Sequence, residues 1–406
     1  MSRFMHVVRA YGLACLAGAA ITTGALAQED HPLPSYLLTD LGALDGGQSF
    51  AQGMNDHRVV VGYSEKIIAK HPKGERGRVI APHAFLWWQP EGMIDLGTLG
   101  GAYSEARDVN NAGYVVGLAE TAGGAQHAFI ASYVKGEVTM WDLNHLVAIP
   151  GDGKVPIGTR PAHGKFFEAN AINEANEIIV CAELRNTGDV GGFLLTPRFD
   201  RLEIRTGTKP PPDFFEVTYL GRLPGQEDCV PLGLNEFGCV VGASGNRAFY
   251  WEDGVIELGS IAKGDMVAYA VDDLFTGVGS FDLQACVWDC RMPFAPGVLD
   301  HRLHPVAEAR DLSAGPNGRF HIVGWSAPAL GAQTVATLWN GRNTQLDLNA
   351  LAIPTPGETT FAVLTDAIAI DRFARIAGTG LTEEGLSHAY LLTPVKPGLP
   401  VMKYHQ

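Results

Sequence analysis

Two copies of the tetrapeptide Glu-Ala-Arg-Asp contain the residues of this chain best suited to chemistry. Each copy offers two carboxylates and a guanidinium within four positions, and paired carboxylates can perform acid–base work on a glycosidic bond. Alternation along a strand would send Arg107 and Asp108 to opposite sides. Salt bridges inherited with a repeat explain the same tetrapeptide without any catalysis. The candidate site residues are Glu105, Arg107, Asp108, Glu308, Arg310 and Asp311.

Three histidines occupy one position of a recurring motif, at His83, His127 and His388. Equivalent positions in different repeats of a ring usually lie too far apart to share one metal ion. Gly191 and Arg247 occupy the same motif position, so the chemistry of histidine is not required there. We therefore expect these histidines to form structural hydrogen bonds, and we predict no metal site.

A basic loop stands out in an acidic chain. Residues 65–82 include Lys70, Lys73 and Arg76, whereas the whole chain has a formal net charge of −14. A solvated loop is the simplest interpretation, but long loops on a rigid scaffold often carry binding sites. The segment 150–166 should emerge on the same face, which we predict to be a partner-binding face.

The sequence lacks the motifs of several common catalytic and cofactor-binding sites. It contains no nucleophile elbow, phosphate-binding loop, Cys/His metal cluster or dinucleotide fingerprint. We therefore predict no catalytic residue and no cofactor. Five cysteines lie beyond the first 27 residues, and we expect them to be buried thiols. The acidity opposes binding to nucleic acid.

Short strands must position these side chains. The segment 83–117 contains four apolar or alternating runs of four to six residues, separated by Gly, Pro and Asn turns. Three markers recur seven times along the chain: a His-Ala-Phe-like strand, an acidic-Leu-Gly strand and an Asn turn followed by valines and glycine. Units of four short strands that repeat about every 50 residues predict a β-propeller, here with seven blades.

The order of the markers predicts how the ring closes. An acidic-Leu-Gly strand at 36–41 precedes any complete unit, and the last His-Ala-Phe-like strand, 388–393, has no such strand after it. We therefore expect the two to pair and to remove an exposed sheet edge. Within a propeller spanning 28–399, the predicted boundaries are blades 1–3 at about 43–197, a Pro-rich linker at 198–215, blades 4–7 at 216–394 and a tail at 400–406.

The first 27 residues are typical of a secretory signal. Arg3 and Arg9 precede an apolar run that ends in Ala25-Leu26-Ala27. Cleavage after Ala27 would start the mature chain at Gln28. The run is short and contains glycine and threonine, so we predict no transmembrane segment in the mature chain and a secreted or periplasmic protein.

The motifs resemble those of the HAF-repeat family of extracellular bacterial proteins. DLGTLGG, NNAGYVVG, HAFLW and a terminal HAYLLTP carry the resemblance, which covers roughly 36–394. Blades 5 and 6 depart from it, because Cys286 and Thr337 replace the Phe of the motif. The resemblance implies export and a repeat fold, and it supplies no catalytic residue.

Three functions remain open. The first is an exported, non-enzymatic scaffold, expected to be monomeric, that binds a protein, glycan or envelope component through loops on one face. The second is a polysaccharide hydrolase or lyase acting at the channel mouth. The third is a purely structural extracellular protein.

Overall fold

The computed structural model describes residues 34–70, 78–147, 163–184, 187–198, 211, 213–259, 264–292, 296–314, 320–357 and 359–395. All of them belong to one unit, Pro34–Gln406. The predicted signal segment, most of the predicted linker and the C-terminal tail lie outside the described residues. Among the described residues, no helix is long and apolar enough to cross a membrane.

Twenty-nine strands and two short 3₁₀ helices make up the described part of the chain. In chain order the strands are β1 (Ser35–Asp40), β2 (Ser49–Met54), β3 (Val60–Lys70), β4 (Arg78–Trp88), β5 (Gly92–Gly97), β6 (Gly100–Val109), β7 (Tyr114–Thr121), β8 (Gln126–Val134), β9 (Glu137–Asp142), β10 (His163–Ile172), β11 (Ile178–Leu184), β12 (Val190–Pro197), β13 (Phe215–Tyr219), β14 (Val230–Leu234), β15 (Val240–Ser244), β16 (Arg247–Trp251), β17 (Val255–Glu257), β18 (Met266–Val271), β19 (Thr276–Phe281), β20 (Gln284–Asp289), β21 (Gly297–Val298), β22 (Val306–Ala314), β23 (Phe320–Ala327), β24 (Val335–Asn340), β25 (Gln345–Asp347), β26 (Ala352–Pro354), β27 (Phe361–Ile370), β28 (Ile376–Thr382) and β29 (Ser387–Val395). The 3₁₀ helices are η1 (Leu143–His145) and η2 (Leu348–Ala350).

The strands form a seven-bladed β-propeller, as predicted from the repeat. Blades 1 to 6 are the four-stranded antiparallel sheets β2–β5, β6–β9, β10–β13, β14–β17, β18–β21 and β22–β25. In blade 7 the sheet order is β26-β1-β29-β28-β27. Apolar side chains from adjacent blades pack against each other, for example Val61 of blade 1 with Ala106 and Phe129 of blade 2. This packing gives each short sheet the cover that it cannot provide for itself.

The N-terminal strand closes the ring. β1 runs antiparallel to β29, with Leu38 opposite Leu392 and Asp40 opposite Tyr390. The predicted pairing of 36–41 with 388–393 is therefore confirmed. The sequence did not predict β26, which adds a parallel partner on the other edge of β1, with Tyr36 opposite Ala352.

The predicted boundary between blades 3 and 4 is wrong. Strand β13 follows the Pro-rich interruption, yet it pairs with β12 through partners such as Phe193 and Tyr219. It is therefore the outer strand of blade 3, and the fourth sheet begins at Val230 rather than at about 216. β1 completes the last blade. In the same way, each later acidic-Leu-Gly-like strand completes the sheet formed by the three strands that come before it in the chain.

The Asn turns, which supplied one marker, join neighbouring blades. The side-chain amide of Asn55 donates to the carbonyl of Asn110 at 2.8 Å, and that of Asn110 donates to the carbonyl of Asn173 at 3.0 Å. Asn173 and Asn235 continue the chain of bonds, each at 3.1 Å, as far as the carbonyl of Asp272. The asparagine side chain therefore links neighbouring blades in addition to forming the turn.

The glycine of the same marker is required by close strand contact. At Gly117 an added Cβ would lie 2.0 Å from the carbonyl oxygen of Glu105 on the innermost strand. The corresponding glycines of five other blades meet an inner-strand carbonyl in the same way. They are Gly62, Gly242, Gly279, Gly324 and Gly378. Blade 3 has Val180 here, opposite Ala169 of its inner strand.

Candidate functional site: the central channel

A cavity of about 430 Å³ lies among the innermost strands and contacts all seven blades. Each of these strands has a register shift just before its Asn turn, where one residue falls out of the ladder. A β-bulge re-aims the side chain at which it occurs. The bulged residues, all on the cavity wall, are Gln52, Arg107, Asn170, Leu232, Tyr269, Arg310 and Ile368.

Arg107 forms the centre of one cluster of charges. Its Nε and Nη2 atoms donate to Oε1 of Glu168 in blade 3 at 3.1 and 2.8 Å. Nη2 also lies 3.2 Å from Glu105 Oε2, and Nη1 lies 3.5 Å from Gln52 Oε1 in blade 1. The guanidinium therefore ties three blades together.

Arg310 forms the centre of a second cluster. Its Nη2 lies 2.9 Å from Oε2 of Glu308, and its guanidinium lies 4.6 Å from the ring centroid of Tyr269. Glu308 also accepts from the Tyr269 hydroxyl and from the indole of Trp325, at 3.3 and 3.2 Å. The Arg310 Nε atom is buried and has no hydrogen-bond partner among the described residues.

The two tetrapeptide aspartates have raised pKa values and structural partners. Burial raises the pKa of Asp108 to about 6 and that of Asp311 to about 7, although backbone N–H groups favour both carboxylates. Asp108 accepts from the Ile172 N–H in the next blade at 2.9 Å, and Asp311 accepts from the Ile370 N–H at 2.8 Å. A third carboxyl, Asp366, has its pKa raised to about 6 by burial, against the opposing effect of Arg310.

The expected alternation along the tetrapeptide strand is broken. Arg107 and Asp108 both line the cavity, whereas Ala106 is fully buried. The bulge between Ala106 and Asp108 adds one residue to the strand and so moves Asp108 to the side of Arg107.

Four of the six tetrapeptide residues line the cavity, and the other two, Glu105 and Glu308, pair with its arginines. They form two separate groups, on blades 2 and 6. Glu168 and Tyr269 are members of these groups that the sequence analysis missed. A usable signal was present, because in the six blades whose turns are described the bulged residue stands three positions before the Asn or Asp that begins the turn.

The motif histidines form structural hydrogen bonds, as predicted, and their partners are carboxylates. Nδ1 of His83 lies 3.0 Å from Asp95, and Nδ1 of His127 lies 2.6 Å from Asp142 on the outer strand of the same blade. Arg247 and Glu257 form the corresponding pair in blade 4, at 2.7 Å.

The pair in blade 7 joins the two ends of the ring. His388 lies 3.0 Å from Asp40 on the closing strand. The hydrogen bond to Asp40 raises the pKa of His388. Burial alone would raise the pKa of Asp40, but hydrogen bonds from His388 and the Gly42 N–H hold it below its usual range.

The basic loop of blade 1 is described only in part. Lys73 and Arg76 lie outside the described residues, and Lys70 ends β3 at a position whose side chain is not described. The strands on either side continue well beyond the blade, with Lys66 opposite Ala81. Lys66 itself forms an ion pair with Asp95 at 3.4 Å.

Cysteine and metal chemistry gain no support from the described part of the chain. The five cysteines there are buried free thiols, as predicted, and burial raises the pKa of each. Within the same residues, no group of three or more His, Cys, Asp or Glu side chains is placed to hold a metal ion.

Two solved structures are similar to this chain. TolB from Acinetobacter baumannii is 13% identical, covering 83% of this chain and 80% of its own, with a TM-score of 0.37. The acylaminoacyl peptidase of Pyrococcus horikoshii is 10% identical, covering 84% of this chain and 51% of its own, with a TM-score of 0.41. Both likenesses concern the fold alone. No family model and no curated protein matches the chain.

Proposed function

We propose that this chain is an exported, non-enzymatic scaffold that binds a partner protein through the extended hairpin of blade 1. The observation that carries the proposal is the part of β3 and β4 that projects beyond the rest of the sheet, residues 66–70 and 78–82, called here the ribbon. Its position agrees with the partner-binding face inferred from the basic loop.

Among the described residues, the pairing pattern leaves both edges of the ribbon without a neighbouring strand, although the Asp45 carboxylate already accepts from the Ile67 N–H on the β3 edge. β2 pairs with β3 only as far as Ser64, and β5 pairs with β4 only as far as Ala84. Beyond these points β3 and β4 pair only with each other within the described chain. An unpaired strand edge can accept a strand from another protein through main-chain hydrogen bonds.

The side chains of the ribbon also favour a protein partner. Ile68, Val79 and Ile80 are exposed, and Ile80 has 52% of its surface accessible. The ribbon base is fixed, because the Ile67 N–H donates to Asp45 at 2.7 Å and Lys66 pairs with Asp95. A firmly based ribbon with apolar side chains and open edges is suited to β-augmentation, in which main-chain bonds supply affinity and side-chain contacts supply specificity.

The channel supports a scaffold rather than a hydrolase. Asp108 and Asp311 hold backbone N–H groups of neighbouring blades, and Arg107 bridges three blades. These contacts stabilise the ring, which is the role that salt bridges inherited with the repeat would have.

Photo-crosslinking can identify the partner and its site together. A photoreactive residue at position 80 should capture a protein from the cell envelope, and one at exposed Leu330, on another hairpin of the same face, should not. Replacing residues 67–80 by Asn-Gly, a pair suited to two-residue hairpins, should abolish co-purification of the captured protein with the unlabelled chain and preserve the melting midpoint. Equal capture at both positions would contradict the ribbon as the site, and reducing-end release from polysaccharide by the pure protein would favour the hydrolase.

Export has its own test. Fractionation of the producing cell followed by N-terminal sequencing should find a chain that starts at Gln28 outside the cytoplasm. A cytoplasmic protein that retains residues 1–27 would contradict export.

A further inference from the structure

A second surface with binding character lies on the opposite face of the ring. The turns between first and second strands, and between third and fourth strands, emerge at the end of each sheet opposite the ribbon. On blades 4 and 5 these turns present five side chains that we call the blade 4/5 patch: Phe237, Leu274, Phe275, Arg291 and Met292. Phe237, Leu274 and Met292 have 67%, 64% and 55% of their surfaces accessible.

The patch is held in a fixed arrangement. The ring of Phe275 stacks on that of Phe237, with centroids 5.7 Å apart and planes inclined by 12°. The guanidinium of Arg291 lies 3.3 Å from the centroid of the same Phe275 ring. Phe275 adopts φ = 64°, a left-handed conformation that a bulky side chain rarely accepts. A strained aromatic residue therefore forms the base on which Phe237 and Arg291 pack.

Large apolar residues are not required by the turn. Phe237 and Leu274 stand two positions after the first residue of their turns, where blades 1, 2 and 3 have His57, Ala112 and Ala175. Turn tips favour small and polar residues, which solvent accepts without cost. The repeat thus folds with small or polar tips in blades 1 to 3. Blade 7 has an apolar tip of its own, Phe373, 52% accessible, which is flanked by the guanidinium groups of Arg372 and Arg375. Among the described turns, blades 4 and 5 are the adjacent pair whose tips are both apolar, and this juxtaposition calls for a separate reason.

Three carboxylates lie next to the patch along the chain. Glu236 and Asp273 precede the two apolar tips, and the Glu236 N–H donates to the Asp273 carboxylate at 3.0 Å. The Glu236 carboxylate accepts from the Glu174 N–H of blade 3 at 3.0 Å, and the Asp289 carboxylate accepts from the Arg291 N–H at 3.1 Å. Three acids against the single Arg291 give the patch a net negative rim.

We propose that the blade 4/5 patch binds a basic segment of a partner protein, in which an aromatic or aliphatic side chain is flanked by Lys or Arg. The apolar side chain would pack on Phe237 and Leu274, and the basic groups would face the carboxylates of the rim. A second copy of this chain is disfavoured as the occupant, because its formal net charge is also −14. The proposal does not depend on the ribbon.

Selection from a displayed library of random 12-residue peptides provides the test. The full chain serves as bait, and a variant carrying Phe237→Ser and Leu274→Ser serves for counter-selection. We expect enriched peptides to combine Phe, Trp, Leu or Ile with Lys or Arg. By fluorescence anisotropy, the best peptide should bind the double variant at least tenfold more weakly than the unsubstituted chain.

Two matched variants distinguish binding at the patch from non-specific hydrophobic binding and from a purely electrostatic attraction. Leu330→Ser removes an even more exposed apolar side chain, 78% accessible, from the opposite face and should leave peptide binding unchanged. Asp273→Asn keeps the acceptor oxygen for the Glu236 N–H but removes the charge, and should weaken binding less than the double variant does. Added salt should weaken binding as well.

Three results would overturn the proposal. The first is a library that enriches no peptide, or that enriches only acidic or uncharged ones. The selected peptide could bind the Phe237→Ser, Leu274→Ser variant as tightly as the unsubstituted chain. Sedimentation could also show self-association that the double substitution abolishes, which would make a second copy the occupant.

Discussion

Removing the closing strand should destabilise the ring as a whole. A chain that begins at Ala43 lacks β1 and, with it, the buried side chains of Tyr36, Leu38 and Leu41. Complete burial of one such side chain contributes about 1.5–3 kcal/mol. The deletion also removes the hydrogen bonds of β1 to β29 and β26. The chain entropy that the deleted residues no longer lose on folding, about 1–2 kcal/mol each, offsets these bonds and part of the side-chain contribution. We therefore expect a net loss of about 3–6 kcal/mol, a large share of the roughly 5–15 kcal/mol that stabilises a native protein.

Thermal melting measures this loss. For a chain of this length, the expected change lowers the melting midpoint by about 4–8 °C relative to a chain that begins at Pro34. A synthetic peptide covering 34–42 should restore the midpoint, whereas the same peptide with Leu38→Ser should not. A truncated chain that melts within a degree or two of the longer one, with no response to the peptide, would refute closure by β1.

Three further predictions concern single residues. Gly117→Ala should cost about 3 kcal/mol in urea unfolding, because its Cβ would meet a carbonyl oxygen of β6, whereas Gly254→Ala, which meets nothing within 4 Å, should be nearly neutral. Comparable stability of these two variants would refute the close-contact explanation. Asp311→Ala should cost about 1–3 kcal/mol, since it leaves a buried N–H of blade 7 without an acceptor, and an unchanged urea midpoint would contradict this role. His388→Gln should destabilise the chain most between about pH 4 and the ordinary histidine pKa of 6.5. The raised pKa of His388 gives stability that is lost as the pH rises through that raised value, and the lowered pKa of Asp40 gives stability that is lost in acid. A cost of this last substitution that stayed constant from pH 5 to pH 9 would contradict the assigned ion pair.

The sequence predicted the fold because its repeat markers coincide with structural requirements. The Asn turns link blades, and the following glycines leave room for the carbonyl oxygens of the inner strand. The motif histidines form hydrogen bonds with the acidic residue of the strand next to them. The blade 3–4 boundary was harder, because an outer strand belongs to the sheet before it and the Pro-rich interruption separates β13 from β12. Strand β26 has only three residues and matches no marker, so pattern reasoning could not find it.

Only some of the residues that line the channel could be predicted from the sequence. The repeated tetrapeptide located two of seven inner strands, but a register shift of one residue changes which side chains face the cavity. Alternation alone cannot predict such a shift, and Asp108 was therefore assigned to the wrong side. The partners Glu168 and Tyr269 come from blades whose local sequence lacks the tetrapeptide, so only the ring brings them to Arg107 and Arg310.

Hydrogen–deuterium exchange with the partner captured at the ribbon tests the scaffold proposal most directly. We expect the partner to slow exchange at residues 66–70 and 78–82, where open strand edges would gain hydrogen bonds, and to leave the innermost strands unchanged. Protection of the strands that carry Arg107 and Arg310, with none in the ribbon, would contradict the proposal and place the function in the channel.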